Sequence, residues 1–390
     1  MKYTIDVAYK SLFKYGEELC GDKVAVARTE NSTICVLADG LGSGVKANIL
    51  STLSSQIIVT MLKEGATMEE AVETIAGTLP VCSVRKVAYS TFSVLQITDE
   101  GEAYLVEFDN PFCIYVRDGK LVQLPCVYRE YAGKGMYESR FNVLPGDSLT
   151  IVSDGVIYAG VGATLNFGWT WDSVAEWLTR TVTRDMSALR LSTLLSQAVS
   201  DLYMGKCGDD STVMAVKVLP RKSVNLLASP PKDKDKDEQM VRDFMKAMGK
   251  KVVCGGSSAN MVGRVLSRRV STALTYSDPD IPPIGRIEGI DLVTEGVLTM
   301  ARTLELLRAA QAAQTDTDPF KRLDEDNGAA RLARLLLEDC THLRLFVGTA
   351  VNPAHQNPNL PADLTIKFRL IDEIQTELER LGKTVEKAYY

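Results

Sequence analysis

Three apolar, strand-like runs in this chain meet an aspartate at one end, and that recurrence limits the fold more than any other feature. Val36-Leu37-Ala38 leads into Asp39-Gly40, Ile151-Val152-Ser153 leads into Asp154-Gly155, and Gly208-Asp209-Asp210-Ser211-Thr212 enters the run Val213–Val218. An acid at the end of a buried strand, with glycine beside it, is held rigidly where backbone can approach a ligand closely.

The first of these, Asp39-Gly40-Leu41-Gly42-Ser43-Gly44, stands between a strand and a helical pattern. Strand, glycine turn and helix also outline a dinucleotide site, with pyrophosphate on the helix N-terminus. The spacing argues against it, because the third glycine of that fingerprint would fall on Val45 and Asp39 would face the pyrophosphate. A structural turn and a functional carboxylate both remain open from this stretch alone.

Around it, residues 3–9 alternate as a first strand, and 23–29 with 33–38 form a hairpin about Glu30-Asn31-Ser32. Asp22 begins the first arm, so antiparallel pairing would bring it beside Asp39. Val45, Ile49, Leu53, Ile57 and Met61 recur every four residues, widened by Leu50, Ile58 and Leu62, which predicts a helix over 45–63 with this stripe buried. Thr67 and Glu70 make a capping box for a second helix to about Leu79. From 88 to 124 short strands alternate with turns at Asp99-Glu100-Gly101, Asn110-Pro111 and Asp118-Gly119, the pattern of antiparallel sheet. Residues 141–152 continue it through the turn Leu144-Pro145-Gly146-Asp147, and 172–204 read as two helical segments.

Carboxylates gathered in one place raise each other's pKa and destabilise the cluster, and a divalent cation removes that penalty. Oxygen ligands from aspartate and backbone suit hard ions such as Mg²⁺ and Mn²⁺. Both histidines, His342 and His355, lie far downstream. The chemistry most easily built from carboxylates and metal is hydrolysis by a metal-bound water, with two ions orienting the nucleophile and neutralising phosphate.

The ordered set Cys20-Gly21-Asp22, Leu37 through Gly44 with Ala47, Leu144-Pro145-Gly146-Asp147, Ser153-Asp154-Gly155 and Asp209-Asp210-Ser211-Thr212 resembles the sporulation-stage-II-E branch of the PP2C (PPM) metal-dependent serine/threonine phosphatases over about residues 1–220. The resemblance implies an α+β fold, an αββα sandwich of two antiparallel sheets flanked by helices, with two Mn²⁺ or Mg²⁺ ions at one end. Asp39 would bridge both ions and Gly40 would supply a carbonyl. Asp154 and Asp209 would hold one ion and Asp22 would support the other, while Asp210 ranks below Asp209. Asp39, Asp154 and Asp209 would then be catalytic, and a bridging hydroxide would attack the phosphorus of phosphoserine or phosphothreonine. Leu41-Gly42 stands where eukaryotic relatives often have histidine, so the leaving alkoxide would take its proton from a metal-bound water. Arg28 is a candidate for phosphate binding and otherwise a surface charge. The resemblance also implies that the two helices after Asp39 act as a regulatory switch, and that the partner is a phosphorylated protein such as an anti-anti-sigma factor. A catalytically silent binding or scaffold module, or a phosphohydrolase of a small phosphorylated ligand, are the alternatives.

Past residue 219 the pattern changes. Residues 220–239, with alternating Lys and Asp at 232–237, read as a solvated linker. Residues 240–390 then alternate strand and helix as a smaller α/β layer domain: a strand at 250–254, helices at 259–268, 290–314, 328–338 and 363–382, and strands at 270–275 and 343–347. Gly255-Gly256-Ser257-Ser258 before a helix is an anion-binding arrangement in principle, with a tight structural turn the simpler account. Residues 348–356, with His355, could face that turn, and His355 reads as a hydrogen-bonded loop residue. Regulation, ligand or protein sensing and homodimerisation are open for this domain.

A net charge of −6 leaves no broad basic surface for nucleic acid. The eight cysteines contain no C-x-x-C pair and suit buried reduced thiols. The N-terminus lacks the apolar core of a signal peptide, and no run of 18 uninterrupted apolar residues occurs. The expectation is a cytoplasmic, bacterial-type protein with no membrane contact.

Overall fold

The computed structural model describes residues 3–78, 90–272, 282–350 and 362–390. The chain divides into two units, Met1–Pro220 with Gln314–Asp316, and Arg221–Ala313 with Thr317–Tyr390.

In the first unit β1 (Tyr3–Leu12), β2 (Asp22–Arg28) and β3 (Ser32–Gly40) precede α1 (Gly44–Lys63) and α2 (Met68–Thr78). There follow β4 (Ser90–Thr98), β5 (Glu102–Phe108), β6 (Ile114–Arg117), β7 (Lys120–Val122), β8 (Cys126–Tyr131), β9 (Lys134–Asn142) and β10 (Ser148–Val152). The short α3 (Asp154–Ile157), then α4 (Trp171–Thr181), α5 (Ala188–Leu202) and β11 (Ser211–Pro220) complete it. Two antiparallel sheets result, β2-β3-β4-β5-β9-β8 and β1-β11-β10-β6-β7.

The period of two along β3 explains the layering. Cys35 and Leu37 join Ile5, Leu95, Leu105, Leu149, Ile151 and Met214 in a core between the sheets, while Ile34, Val36 and Ala38 turn outward to Ile58, Val59 and Leu62 of α1 and to α2. On the other sheet α5 lies against β1 and β11, which closes the four-layer sandwich. The Thr67 box forms as read: Glu70 Oε2 accepts from the Thr67 amide at 2.8 Å and Thr67 Oγ1 from the Glu70 amide at 3.2 Å.

The helix over 45–63 is present, and Ile58 and Leu62 of the expected stripe are buried, but its first four members face water. Val45, Ile49, Leu53 and Ile57 are 63, 53, 55 and 38% exposed. In that first part of the helix the buried residues are Gly44, Ala47, Ser51, Ser54 and Ser55, and Ile58, Val59 and Leu62 follow them. The reason is steric: a Cβ on Gly40 would stand 2.1 Å from the Ala47 carbonyl oxygen, so helix and strand approach so closely that only small side chains fit.

In the second unit β12 (Ser223–Ala228), a 3₁₀ turn (Lys234–Lys236), α6 (Asp237–Lys246), β13 (Lys250–Cys254) and α7 (Gly256–Leu266) come first. They are followed by β14 (Ser271–Thr272), β15 (Gly285–Arg286), β16 (Leu292–Thr294), α8 (Val297–Ala312), α9 (Asp318–Arg322), α10 (Gly328–Glu338), β17 (His342–Val347), α11 (Ala362–Arg380) and β18 (Thr384–Tyr389). The sheet order is β14-β15-β16-β13-β12-β17-β18, parallel from β16 to β18. The order of strand addition reverses at β12: β13 and β16 extend the sheet to one side, β17 and β18 to the other.

Residues 220–239 are therefore not a linker throughout. Val224, Leu226, Leu227 and Ala228 are buried in the central strand β12, because a strand covered on both faces carries a short continuous apolar run. Two helices shift as well: α7 begins at Gly256 rather than 259, and the start of the expected 290–314 helix is β16. Of the expected strand at 270–275, residues 271–272 pair with β15, Val270 stands outside the strand, and 273–275 lie outside the described residues, as does His355.

Candidate functional site

By the alternation of β3, Asp39 projects on the same side as Cys35 and Leu37, into the mouth between the sheets. The β2–β3 ladder pairs Val24 with Leu37 and, two residues on, Asp22 with Asp39. On the facing sheet β10 pairs with β11 through Val152 and Val213. Asp154, opening α3, and Asp209-Asp210, preceding β11, thus come to the same end. One chain of hydrogen bonds crosses between the sheets: the Thr212 amide donates to Ser153 Oγ at 2.8 Å, and Ser153 Oγ donates to Asp22 Oδ2 at 2.7 Å.

The charges are poorly compensated. Burial pushes Asp39 up to about 9, reinforced by repulsion from Asp22, Asp154, Asp209 and Asp210. Burial also raises Asp22, to about 7, against the lowering effect of its bonds to Ser153 and Thr212. Asp154 is raised by burial and then by Asp209. Asp22 Oδ1 is buried with no hydrogen-bond partner. A buried orphan oxygen among like charges is the state a divalent cation would relieve, so the residues fit a hard metal ion. Among the described residues the carboxylates are near enough to repel one another without being drawn into a closed ligand shell.

Asp209 and Asp210 separate clearly. Asp210 is buried, and both its oxygens are engaged, Oδ1 by the Lys14 amide at 3.0 Å and Oδ2 by the Gly21 amide at 2.8 Å. It staples two loops beside Asp22. Asp209 is half-exposed and pairs with Lys14 Nζ at 3.5 Å.

Glycine is required by contact at two points. A Cβ on Gly155 would stand 2.1 Å from the Asp210 carbonyl oxygen, and Gly40 meets α1 as described. Tyr203 Oη donates to the Gly155 carbonyl at 2.8 Å, and Asn48 Nδ2 to the Cys20 carbonyl at 2.8 Å, tying α5 and α1 to the acidic loops.

Arg28 does not join the site. It pairs with Thr33 at the opposite end of the hairpin, about 20 Å along β2 from Asp22, and donates to the Ile5 carbonyl at 3.0 Å. Sequence reasoning left Ser153 and Lys14 without roles. Ser153 was signalled by its place beside Asp154, whereas nothing local marks Lys14, which is brought in by tertiary contact.

A two-sheet sandwich carrying acidic strand ends in its mouth defines the class as a PP2C-type phosphatase domain. Residues 29–219 match the family described as stage II sporulation protein E. Among solved structures it is similar to the PP2C phosphatase domain with a fragment of the regulatory domain of the cell fate determinant SpoIIE from Bacillus subtilis (18% identity, TM-score 0.49), with 56% of this chain and 65% of that chain covered, a little under two thirds of its length. It is also similar to RsbX in complex with magnesium (19% identity, 56% of this chain and 96% of that chain, TM-score 0.42). A third is the SiaA PP2C domain of Pseudomonas aeruginosa (13% identity, 54 and 85%, TM-score 0.42). No curated protein matches the chain.

Proposed function

We propose that the first unit hydrolyses phosphoserine or phosphothreonine in a protein substrate, with two Mn²⁺ or Mg²⁺ ions. The observation that carries this is the buried Asp22–Asp39 pair, with its orphaned Asp22 Oδ1 and the raised Asp39. Asp39, Asp22, Asp154, Asp209 and the Gly40 carbonyl are the groups that would hold the ions, with Asp210 fixing the loops around them. When bound, the ions would activate water and neutralise charge on the phosphoryl group. The chain's own part is positional. Ser153 orients Asp22, Asp210 sets Gly21, and Lys14 balances Asp209.

Control of this activity by residues 221–390 is the finer part of the reading. Its support is that one chain joins a phosphatase-family domain to a second, separately cored unit.

The test is Mn²⁺-dependent release of phosphate from a phosphoserine peptide, abolished by Asp39→Asn. Absence of turnover with every divalent metal would sink the catalytic reading, and equal activity of residues 1–220 and the full chain at limiting Mn²⁺ would sink the regulatory one.

A further inference from the structure

The parallel sheet of the second unit leaves two neighbouring helix starts unfinished. β13 and β16 lie side by side and each runs through a glycine into a helix, Gly255 into α7 and Gly296 into α8. Neither helix has a side-chain cap, whereas Asn327 caps α10 by accepting from the Ala330 amide at 2.8 Å. The first-turn amides of α7 and α8, at 256–258 and 297–299, accordingly have no acceptor among the described residues.

The two turns touch. A Cβ on Gly296 would stand 3.6 Å from Gly255 Cα, and a φ of +110° at Gly255 calls for glycine on its own account. Three groups surround the point where a Cβ on Gly255 would be: Lys367 Nζ of α11 at 3.5 Å, Ser258 Oγ at 3.6 Å and Gly296 Cα at 3.9 Å. Ser258 is fully buried and its hydroxyl has no partner. Thr299, at the same third position of α8, is also fully buried with an unpartnered hydroxyl. Lys367 Nζ has no hydrogen-bond partner among the described residues, and burial lowers its pKa against the raising effect of Cys254 and Glu295.

A capping hydroxyl was available at neither helix start. The orphan Ser258 hydroxyl, two adjoining sets of free amides and one ammonium group in one place are donors awaiting a shared acceptor. Gly256 and Ser257 are exposed, so the place is reached from solvent. It lies at the carboxyl ends of the parallel strands, where open α/β sheets take their ligands. The opposing charge is Glu295, which accepts from its neighbour's amide, Gly296 N, and is the carboxylate facing Lys367.

We propose that Gly255–Ser258, Gly296–Thr299 and Lys367 form a binding site for a phosphate group, free or carried by a small phosphomonoester. The acceptor must be compact and carry several oxygens, since donors arrive from three helices. A phosphate meets this better than a carboxylate, which offers two oxygens in one plane.

The test is equilibrium binding of radiolabelled inorganic phosphate to the full-length chain at constant ionic strength in EDTA. One saturable site is expected, weakened at least tenfold by Lys367→Gln and at least threefold by Ser258→Ala. Ser258→Ala removes an unsatisfied buried hydroxyl, so it should hold or raise the melting temperature while weakening binding. Glu295→Gln should tighten binding, an effect a merely structural turn would not show. Competition by AMP would place the phosphate on a larger ligand, and competition by phosphate alone would make it the ligand itself; either supports the site. Binding must persist in Asp39→Asn, which separates this proposal from the phosphatase reading. Absence of saturable binding, or binding unchanged by both Lys367→Gln and Ser258→Ala, overturns it.

Discussion

Replacing Asp39 by asparagine should stabilise the metal-free protein. Asparagine keeps the shape of the side chain and removes a group that burial and four neighbouring carboxylates hold far above its usual pKa of 3.8, at about 9. The sign follows from proton binding. Between those values the folded state holds a proton that the unfolded state releases, so the contribution of Asp39 is fully present below about pH 3.8 and is lost as pH rises toward 9. At pH 7.5 each unit of displacement is worth about 1.4 kcal/mol, which sets a ceiling near 5 kcal/mol. The other acids share the strain, so a gain of about 1–3 kcal/mol is expected, or about 3–10 °C for a unit of this size. Differential scanning calorimetry in EDTA measures it. The same variant should lose the rise in melting temperature that Mn²⁺ confers on the parent. A destabilised metal-free variant, or one that keeps its Mn²⁺ response, would refute the assignment of Asp39 to a strained ion site.

Asp210→Ala should cost about 2–4 kcal/mol in denaturant unfolding by freeing two backbone amides, whereas Asp209→Asn should leave stability within about 0.5 kcal/mol and weaken Mn²⁺ binding measured calorimetrically. Burial raises Glu107 to about 8 while it accepts from the Cys113 amide at 2.6 Å. Its contribution is therefore present below the usual 4.5 and lost as pH rises through 8, and the decline should flatten in Glu107→Gln when urea midpoints are compared from pH 5 to 8.5. Ile49→Lys and Leu53→Lys should change stability by no more than about 0.5 kcal/mol, because both side chains face water; a loss of 2 kcal/mol or more would show that the stripe is packed.

The sandwich was readable because its strands obey simple periods and its acidic ends recur in one order. Asp22, Asp39, Asp154 and Asp209 stand at strand or helix ends as the motifs required. Asp210 looked like a further ligand, since a pair of adjacent acids does not disclose which of them its own backbone will engage. The α1 stripe misled because spacing alone assumes that the larger apolar side chains are buried, whereas the contact of Gly40 with Ala47 admits only small ones. β8 passed unnoticed because it is an exposed edge strand with no buried alternation to detect. β12 was masked by the charged run that follows it, which lies in the 3₁₀ turn and the start of α6 rather than in a linker.

The serines beneath α1 carry one more consequence. Ser51, Ser54 and Ser55 donate to carbonyls of their own helix, at Asn48, Leu50 and Thr52. They cover the interface without cross-linking it. This half of the helix rests on the sheet as on a smooth bearing, pinned near its start by Asn48 and Ala47 and gripped at its far end by Ile58, Val59 and Leu62. A small sliding motion would break no hydrogen bond between helix and sheet at these three serines, so its cost there is set by van der Waals contact alone.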